Sequence, residues 1–459
     1  MHALTPSPVY HILASMKLAR RSATCAGVLA TLAATFGLLA QTPSVGIHLM
    51  TNGPGSRLLF TSVYPAGTKP LTVTPLDANG DGHTDLAVVG YENSLAILTN
   101  DGAGHFSTAQ QIWAYGGSPV QVVAGDFNGD GRTDLVSCNS GLGENNVTVL
   151  TNSPTGAFSV LARFPAGLGP VSITSGDFNG DGKLDIATAD YVSHTMTVLT
   201  NDGHANLTIS QTLPAGNFAH GIGAIDVDQD GFLDLAVTSF NDSDLRVYTN
   251  DHAGRFSLSF AMFVPGQPRW QAAGDFNHDG YPDLATANYG TGTVTILLNN
   301  QDGTFRSAAT LNTGIGAYGI GVGDLDGDGS LDLAIGNYHS TNQTVAVFRN
   351  DGAGNFSLMQ TLGVADSPYS ATIADLDHSG TGVLVMPSGT SNTVSLAKFA
   401  TMAATLSWPS TADDLFVEQC SSLTQPRWWR LPEAATVRGP TNRLSFPLTG
   451  VNSFFRLVR

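Results

Sequence analysis

Apolar runs such as Pro119-Val-Gln-Val-Val-Ala-Gly and Val147-Thr-Val-Leu are short, and clusters of Gly, Asp and Asn separate them. That spacing predicts strands joined by tight turns rather than helices. The runs also keep a fixed order. An apolar run leads into an acidic loop (DFNGDGRTD at Asp126), a short strand follows (Asp134-Leu-Val-Ser), then a polar loop and a second strand. An Asn-Asp-Gly-type turn, as in TNDGAGHF at 99–106, leads to one strand more. Related acidic loops begin at Asp77, Asp126, Asp177, Asp226, Asp275, Asp324 and Asp375, at steps of 49, 51, 49, 49, 49 and 51 residues. Seven periods of four short antiparallel strands are the content of seven propeller blades.

A propeller has to close, because an open ring exposes sheet edges. Residues 45–65, containing IHLMTNGPGSRLLF, align with the late strands of a repeat, and the seventh repeat is interrupted after Val394-Ser-Leu-Ala-Lys-Phe. The N-terminal piece is expected to complete the blade that the C-terminal piece begins. The expected fold class is all-β: a seven-bladed β-propeller with calcium loops over 45–400, plus a small C-terminal β-sandwich-like module over 401–459. Leu406-Ser-Trp-Pro, Phe416-Val-Glu-Gln, Trp428-Trp429 and Phe454-Phe455-Arg-Leu supply that module's short strands.

Composition agrees with this pattern. The 459 residues include 52 Gly and only 12% charged residues, whereas helix surfaces favour Lys, Glu and Arg. An apolar share of 42% excludes a disordered chain. Acidic residues outnumber basic ones 37 to 20, for a net charge of −17. That excludes a nucleic-acid binder, which needs basic clusters to displace phosphate counterions. Of the three cysteines, Cys25 lies in a removable segment, and Cys138 and Cys420 read as small apolar side chains rather than a disulfide pair. Met16-Lys-Leu-Ala-Arg-Arg followed by the uncharged stretch Ala23 to Ala40 reads as a secretory signal peptide. Residues 1–40 are expected to be removed, with Met16 an alternative start, although Leu38 is bulky for the −3 position. Arg20-Arg21 hints at twin-arginine export. No later stretch is long and apolar enough to span a bilayer. The mature protein is expected to be secreted, extracellular or periplasmic, and monomeric.

The acidic loops follow Asp-x-[Asp/Asn]-x-Asp-Gly-x-x-Asp. Oxygen side chains at positions 1, 3, 5 and 9, with a carbonyl at 7, suit one Ca²⁺. The ligand sets are Asp77, Asn79, Asp81 and Asp85; Asp126, Asn128, Asp130 and Asp134; and Asp177, Asn179, Asp181 and Asp185. They continue with Asp226, Asp228, Asp230 and Asp234; Asp275, Asn277, Asp279 and Asp283; and Asp324, Asp326, Asp328 and Asp332. Mg²⁺ demands a stricter octahedron, zinc would want His or Cys, and an EF-hand would close with Glu at position 12 between helices. The seventh loop keeps Asp375 and Asp377 but has Ser379 and Val383 at the other two positions, so about six sites are expected. These positions hold 22 of the 37 acidic residues. Losing Lys17, Arg20 and Arg21 takes the charge to −20, and six Ca²⁺ bring it to −8. Calcium is read here as a staple rather than a catalyst.

At these residues the chain resembles the FG-GAP/VCBS repeat family, which includes the integrin α-subunit propellers. The likeness rests on the DxNGDGxxD loops and the NDGxGxF segments at 100–106, 250–256 and 350–356. The family's Phe-Gly-Gly-Ala-Pro signature is degenerate, as FPAGLGP at 164–170 and VPGQP at 264–268. The resemblance implies the propeller, calcium at the first six loops, and ligand binding on the face opposite those loops. It names no ligand.

Fourteen residues after each loop's first Asp stand Tyr91, Ser140, Tyr191, Phe240, Tyr289, Tyr338 and Gly389. Aromatics there could stack on sugars, but recurrence in five of seven repeats favours scaffold packing. Six residues before each first Asp the series is Leu71, Val120, Val171, His220, Arg269, Tyr318 and Tyr369, with Trp270 beside Arg269. The break from apolar to polar and aromatic residues nominates His220, Arg269, Trp270, Tyr318 and Tyr369 as the ligand site. Channel-lining packing is the competing reading. No GxSxG, HExxH or P-loop motif occurs, and His194, His220 and His339 are the histidines considered for acid–base work. The expected function is a binding or adhesion propeller for carbohydrate or another cell-surface or matrix ligand. Two alternatives are a polysaccharide lyase, which needs a base beside a cation, and a purely structural or adhesive module.

Overall fold

The computed structural model describes residues 58–399 apart from 114–116, 142–144, 339–342, 365–367 and 390, together with strand paths at 46–48, 57 and parts of 400–459. The proposed signal peptide and His339 lie outside the described residues. Seven four-stranded antiparallel sheets follow one another along the chain. In the first blade the strands are Pro70–Leu76, Asp85–Gly90, Ser94–Asn100 and Phe106–Trp113. First strands of successive blades neighbour one another around the ring, so they line its centre.

Burial explains why the strands differ in sequence. The second strands, such as Asp85–Gly90 and Asp283–Asn288, are buried at every position. Each is covered by a neighbouring blade on both faces, which selects unbroken runs like Leu-Ala-Val-Val. The fourth strands bury only their first residue and leave the rest exposed or half-buried, because they form the outer rim of each blade. The core is a chain of clusters between adjacent blades, with Phe127, Phe178 and Phe276 fully buried. Cys138 is a free thiol in one of these clusters, and burial pushes its pKa up to about 12.

The seventh blade is composite. Arg57–Pro65 is its outer strand and pairs with Thr393–Ala400, followed inward by Val383–Ser388 and Thr372–Ala374. Ala66 N–H donates to the Asn392 carbonyl at 3.0 Å. The propeller Leu58–Phe399 is one compact unit, and the strands at 46–48 and within 403–458 belong to another. In the latter unit the strand Gly46–His48 pairs with Ala403–Pro409 rather than joining a blade. One of its sheets runs 46–48, 403–409, 441–447 and 436–437, and a second runs 429–430, 416–420 and 454–458. No helix among the described residues is long and apolar enough to cross a membrane.

An asparagine at each third-to-fourth-strand turn ties neighbouring blades. Asn100, Asn152, Asn201, Asn250, Asn299 and Asn350 donate from Nδ2 to a carbonyl of the preceding blade at 2.6–2.9 Å. The acceptor is always the residue after that blade's first loop aspartate: Leu376, Ala78, Phe127, Phe178, Val227 and Phe276. Each Nδ2 also reaches a carbonyl of its own blade at 3.0–3.2 Å. Removing such a buried donor strands carbonyls that water cannot reach. Asn250→Ala is expected to lower unfolding stability by roughly 1–3 kcal/mol, read by thermal or denaturant melts. Exposed Asn241→Ala is the control and should melt as the wild type does.

Candidate functional site

Two faces of the ring carry different chemistry. The acidic loops join first to second strands, and the asparagine turns stand beside them. The ninth-position aspartates are 0–1% exposed. In the first blade Asp85 Oδ1 accepts the Asn100 N–H at 2.7 Å and Oδ2 accepts the Ala78 N–H at 3.0 Å. The same pair of bonds recurs at Asp185, Asp234, Asp283 and Asp332. Burial drives these carboxyls above their ordinary range, to about 6 at Asp185 and Asp234 and about 7 at Asp332; the N–H donors oppose the rise and loop aspartates add to it. Each first-position aspartate folds its loop by accepting N–H groups further along, as Asp77 does from Gly80 and Gly82 at 2.8 and 2.9 Å.

Carboxylate oxygens of Asp226, Asp228 and Asp234 lie within 4.8 Å of one another, as do those of Asp324, Asp326 and Asp332. These all-oxygen sets fit a hard cation. The fifth-position aspartates are turned elsewhere. Asp81, Asp130 and Asp230 cap the N–H of position 7 at 2.8–3.0 Å. Several also meet a basic side chain: Arg132 to Asp130 at 2.5 Å, Lys183 to Asp181 at 3.3 Å, and Arg349 to Asp328 at 2.6 Å, with Arg349 also reaching the third-position Asp326 at 2.8 Å. In the seventh loop Lys398 lies 2.5 Å from Asp377 and its bond holds that carboxyl down near 2, while Val383 is buried in the core.

The opposite face bears the second- to third-strand loops and the connections between blades. His220, Arg269, Trp270, Tyr318 and Tyr369 come together here. His220 lies 6.3 Å from Trp270 and 6.1 Å from Tyr318, ring centre to ring centre, and Tyr318 lies 5.5 Å from Tyr369. The Arg269 guanidinium sits 4.4 Å from the centre of the Tyr318 ring, 4.6 Å from Tyr289 and 5.0 Å from Phe240. Four of the aromatics that recurrence had marked as scaffold therefore belong to the cluster. Tyr191, Phe240, Tyr289 and Tyr338 alternate around the ring with His220, Arg269, Tyr318 and Tyr369, and Tyr338 stacks on Tyr369 at 4.2 Å. Tyr91 stands apart from the cluster's ring contacts, 59% exposed.

The position that matches Trp270 is Gly221 in the blade before and Gly319 in the blade after, and at both the backbone of the next blade comes close. A Cβ on Gly221 would lie 2.5 Å from the Arg269 carbonyl oxygen, and one on Gly319 would lie 2.4 Å from that of Tyr369. Trp270 and Gln271 continue into the channel and line a cavity of about 150 Å³ with Thr72, Gln121, Ile320 and Ser370. Gln121 and Gln271 were not anticipated, because a single glutamine in an inner strand carries no repeat signal.

His220 is 5% exposed, and burial, aided by the nearby Arg269 charge, holds its imidazole well below its usual pKa. His194 is engaged by its own fold, with Nδ1 accepting the Phe218 N–H at 2.9 Å.

The family now follows from sequence comparison. A profile described as an FG-GAP-like repeat matches residues 77–137, 126–188, 177–237, 226–286, 275–335 and 324–385. The chain belongs to the FG-GAP repeat family. No curated protein matches it in sequence. Among solved structures, BBS1N in complex with ARL6DN aligns with a TM-score of 0.54 at 12% identity, covering 75% of this chain and 97% of that one. A Lactobacillus plantarum protein aligns at 0.51 and 18% identity, covering 83% and 98%. A putative 6-phosphogluconolactonase from Bacteroides uniformis aligns at 0.51 and 14%, covering 85% and 100%. At these identities the likeness is one of fold. An FG-GAP propeller is a ligand-binding scaffold in general.

Beside Tyr191, Asp190 is buried and accepts the hydroxyls of Thr188, Thr195 and Thr197 at 2.7–3.1 Å. Burial raises its pKa to about 6 against the bonds that lower it. Asn288 sits at the same position two blades on, within an equivalent set of Thr286, Thr293 and Thr295. Between the ordinary carboxylate pKa and about 6 the folded protein keeps a proton that the unfolded chain has released, so stability falls as pH rises through that window. Asp190→Asn is expected to raise stability near pH 7 by roughly 1–3 kcal/mol, with the gain disappearing below about pH 4. Thermal melts across pH read both.

Proposed function

We propose that the protein is a secreted, calcium-stapled propeller that binds a saccharide on the face opposite its acidic loops. The observation that carries this reading is the unbroken arc of rings from Tyr191 to Tyr369 around Arg269. Ring faces offer apolar area, and phenol, indole and amide groups at their edges offer hydrogen bonds, a pairing suited to amphipathic ligands. Exposed apolar residues of the loops share this face: Tyr91, Leu168, Val192 and Ile315, with Trp113 and Phe263 at fourth-strand ends. The exposed large apolar residues include none in the acidic loops.

Retention of the secreted chain on a panel of immobilised polysaccharides tests the reading. Tyr318→Ala and Tyr369→Ala are each expected to cut retention about tenfold, the scale of one lost stacking or anchor contact. Retention that ignores both substitutions would remove the arc as the site. A lyase is the second reading, favoured by the placement of His220 beside Arg269. Appearance of unsaturated products during the same incubation would establish it.

Calcium would be held by the oxygen sets of the first six loops, and it would neutralise carboxylates that otherwise repel one another. Adding Ca²⁺ to chelator-stripped protein is expected to raise Tm by several degrees and slow proteolysis. Asp226→Asn with Asp228→Asn should reduce the calorimetric stoichiometry by one ion. An unchanged Tm would remove the staple.

A further inference from the structure

We infer that Arg269 is an anion receptor, and that the saccharide bound at this face carries an acid group which the Arg269 guanidinium takes up. This rests on the saccharide reading above and narrows it to one ligand class.

Unlike several other arginines of the ring, Arg269 has no acid partner among the described residues. Arg132, Arg246 and Arg349 each meet a carboxylate at 2.5–3.0 Å. Among the described residues no carboxylate comes within ion-pair distance of Arg269, in a chain whose net charge is −17. The described acids on this face are already engaged: Glu92 by Lys69, Asp190 by three threonines, and Asp242 and Asp244 by Arg246. Three ring faces support the positive charge. The Tyr318 hydroxyl also takes a side-chain hydrogen bond from the guanidinium, but Arg269 Nε is buried without a partner. A buried donor left in that state is costly, and an incoming oxyanion in the plane of the guanidinium removes the cost.

The neighbouring groups extend the site. His220 Nδ1, Trp270 Nε1 and Gln271 Oε1 are likewise buried and unpartnered. They offer donors and an acceptor for sugar hydroxyls between the mouth and the channel. His220 stays neutral, so Arg269 is the local charge. Trp270 and Gln271 also line the 150 Å³ cavity of the channel. The acid group is therefore what the channel mouth reads.

The test uses the full chain with four probes: polygalacturonate, its methyl-esterified form, dextran sulfate and dextran. The wild type is expected to retain an acidic polymer about tenfold or more over its neutral counterpart, the worth of one charge-assisted bond. Arg269→Gln is expected to abolish that preference, and Arg269→Lys to keep a part of it, because charge remains while the fork is lost. Thermal melts check that each variant folds; should Arg269→Gln fail, the reduced preference of Arg269→Lys carries the same reading. Preference for polygalacturonate identifies a carboxylate, and preference for dextran sulfate alone identifies a sulfate ester. Equal retention of acidic and neutral polymers, or a preference that survives Arg269→Gln, overturns the proposal and leaves the saccharide reading standing. No retention of any probe removes both.

Discussion

The ring depends on a carboxylate with no access to water. Each ninth-position aspartate fixes the asparagine turn through one oxygen, and most fix the acidic loop through the other. The residue whose N–H it receives, such as Phe178 under Asp185, plugs the gap between blades with its side chain. That residue's carbonyl then accepts the asparagine of the next blade. One aspartate thus sets a loop, a turn and, through the turn, the spacing to its neighbour. The buried charge is unfavourable by itself, which is why the pKa values rise and why a cation nearby would relieve the strain.

Much of this was legible in the chain. The step of 49 to 51 residues, the Gly-rich acidic loops and the interrupted last repeat were enough for seven blades and a composite closure. Periodicity shows what is common to all blades, so it also identified the loops. It also marked the aromatics of the second- to third-strand loops as packing between blades, and four of them do pack ring against ring there. Tyr191, Phe240, Tyr289 and Tyr338 recur like scaffold residues, yet only three-dimensional placement shows them alternating with His220, Arg269, Tyr318 and Tyr369. Nor does a pattern of oxygen positions show that Asp81 or Asp130 turns to cap a backbone N–H. Gly46–His48, counted with the propeller by alignment, pairs instead with Ala403–Pro409.

The two faces divide the labour between repetition and exception. On the loop face every blade presents nearly the same residues, and stability is the sum of like junctions. On the other face the inner strands begin with Leu71, Val120 and Val171 on one side and with His220, Arg269, Tyr318 and Tyr369 on the other. The polar and aromatic side chains are concentrated where the repeat was allowed to drift, and Gly221 and Gly319 mark where the backbone of the next blade comes closest.

Closure of the seventh blade has a mechanical side. Thr61 bonds to the Leu396 carbonyl and Ala66 to that of Asn392, so Arg57 and Ala400 stand at the same end of adjacent strands. Tension applied between the two ends of the ring would pull on one blade and open its strands one hydrogen bond at a time, like a zipper. The other six blades, and the rings from Tyr191 to Tyr338 that they hold, would carry none of the load until that blade had parted.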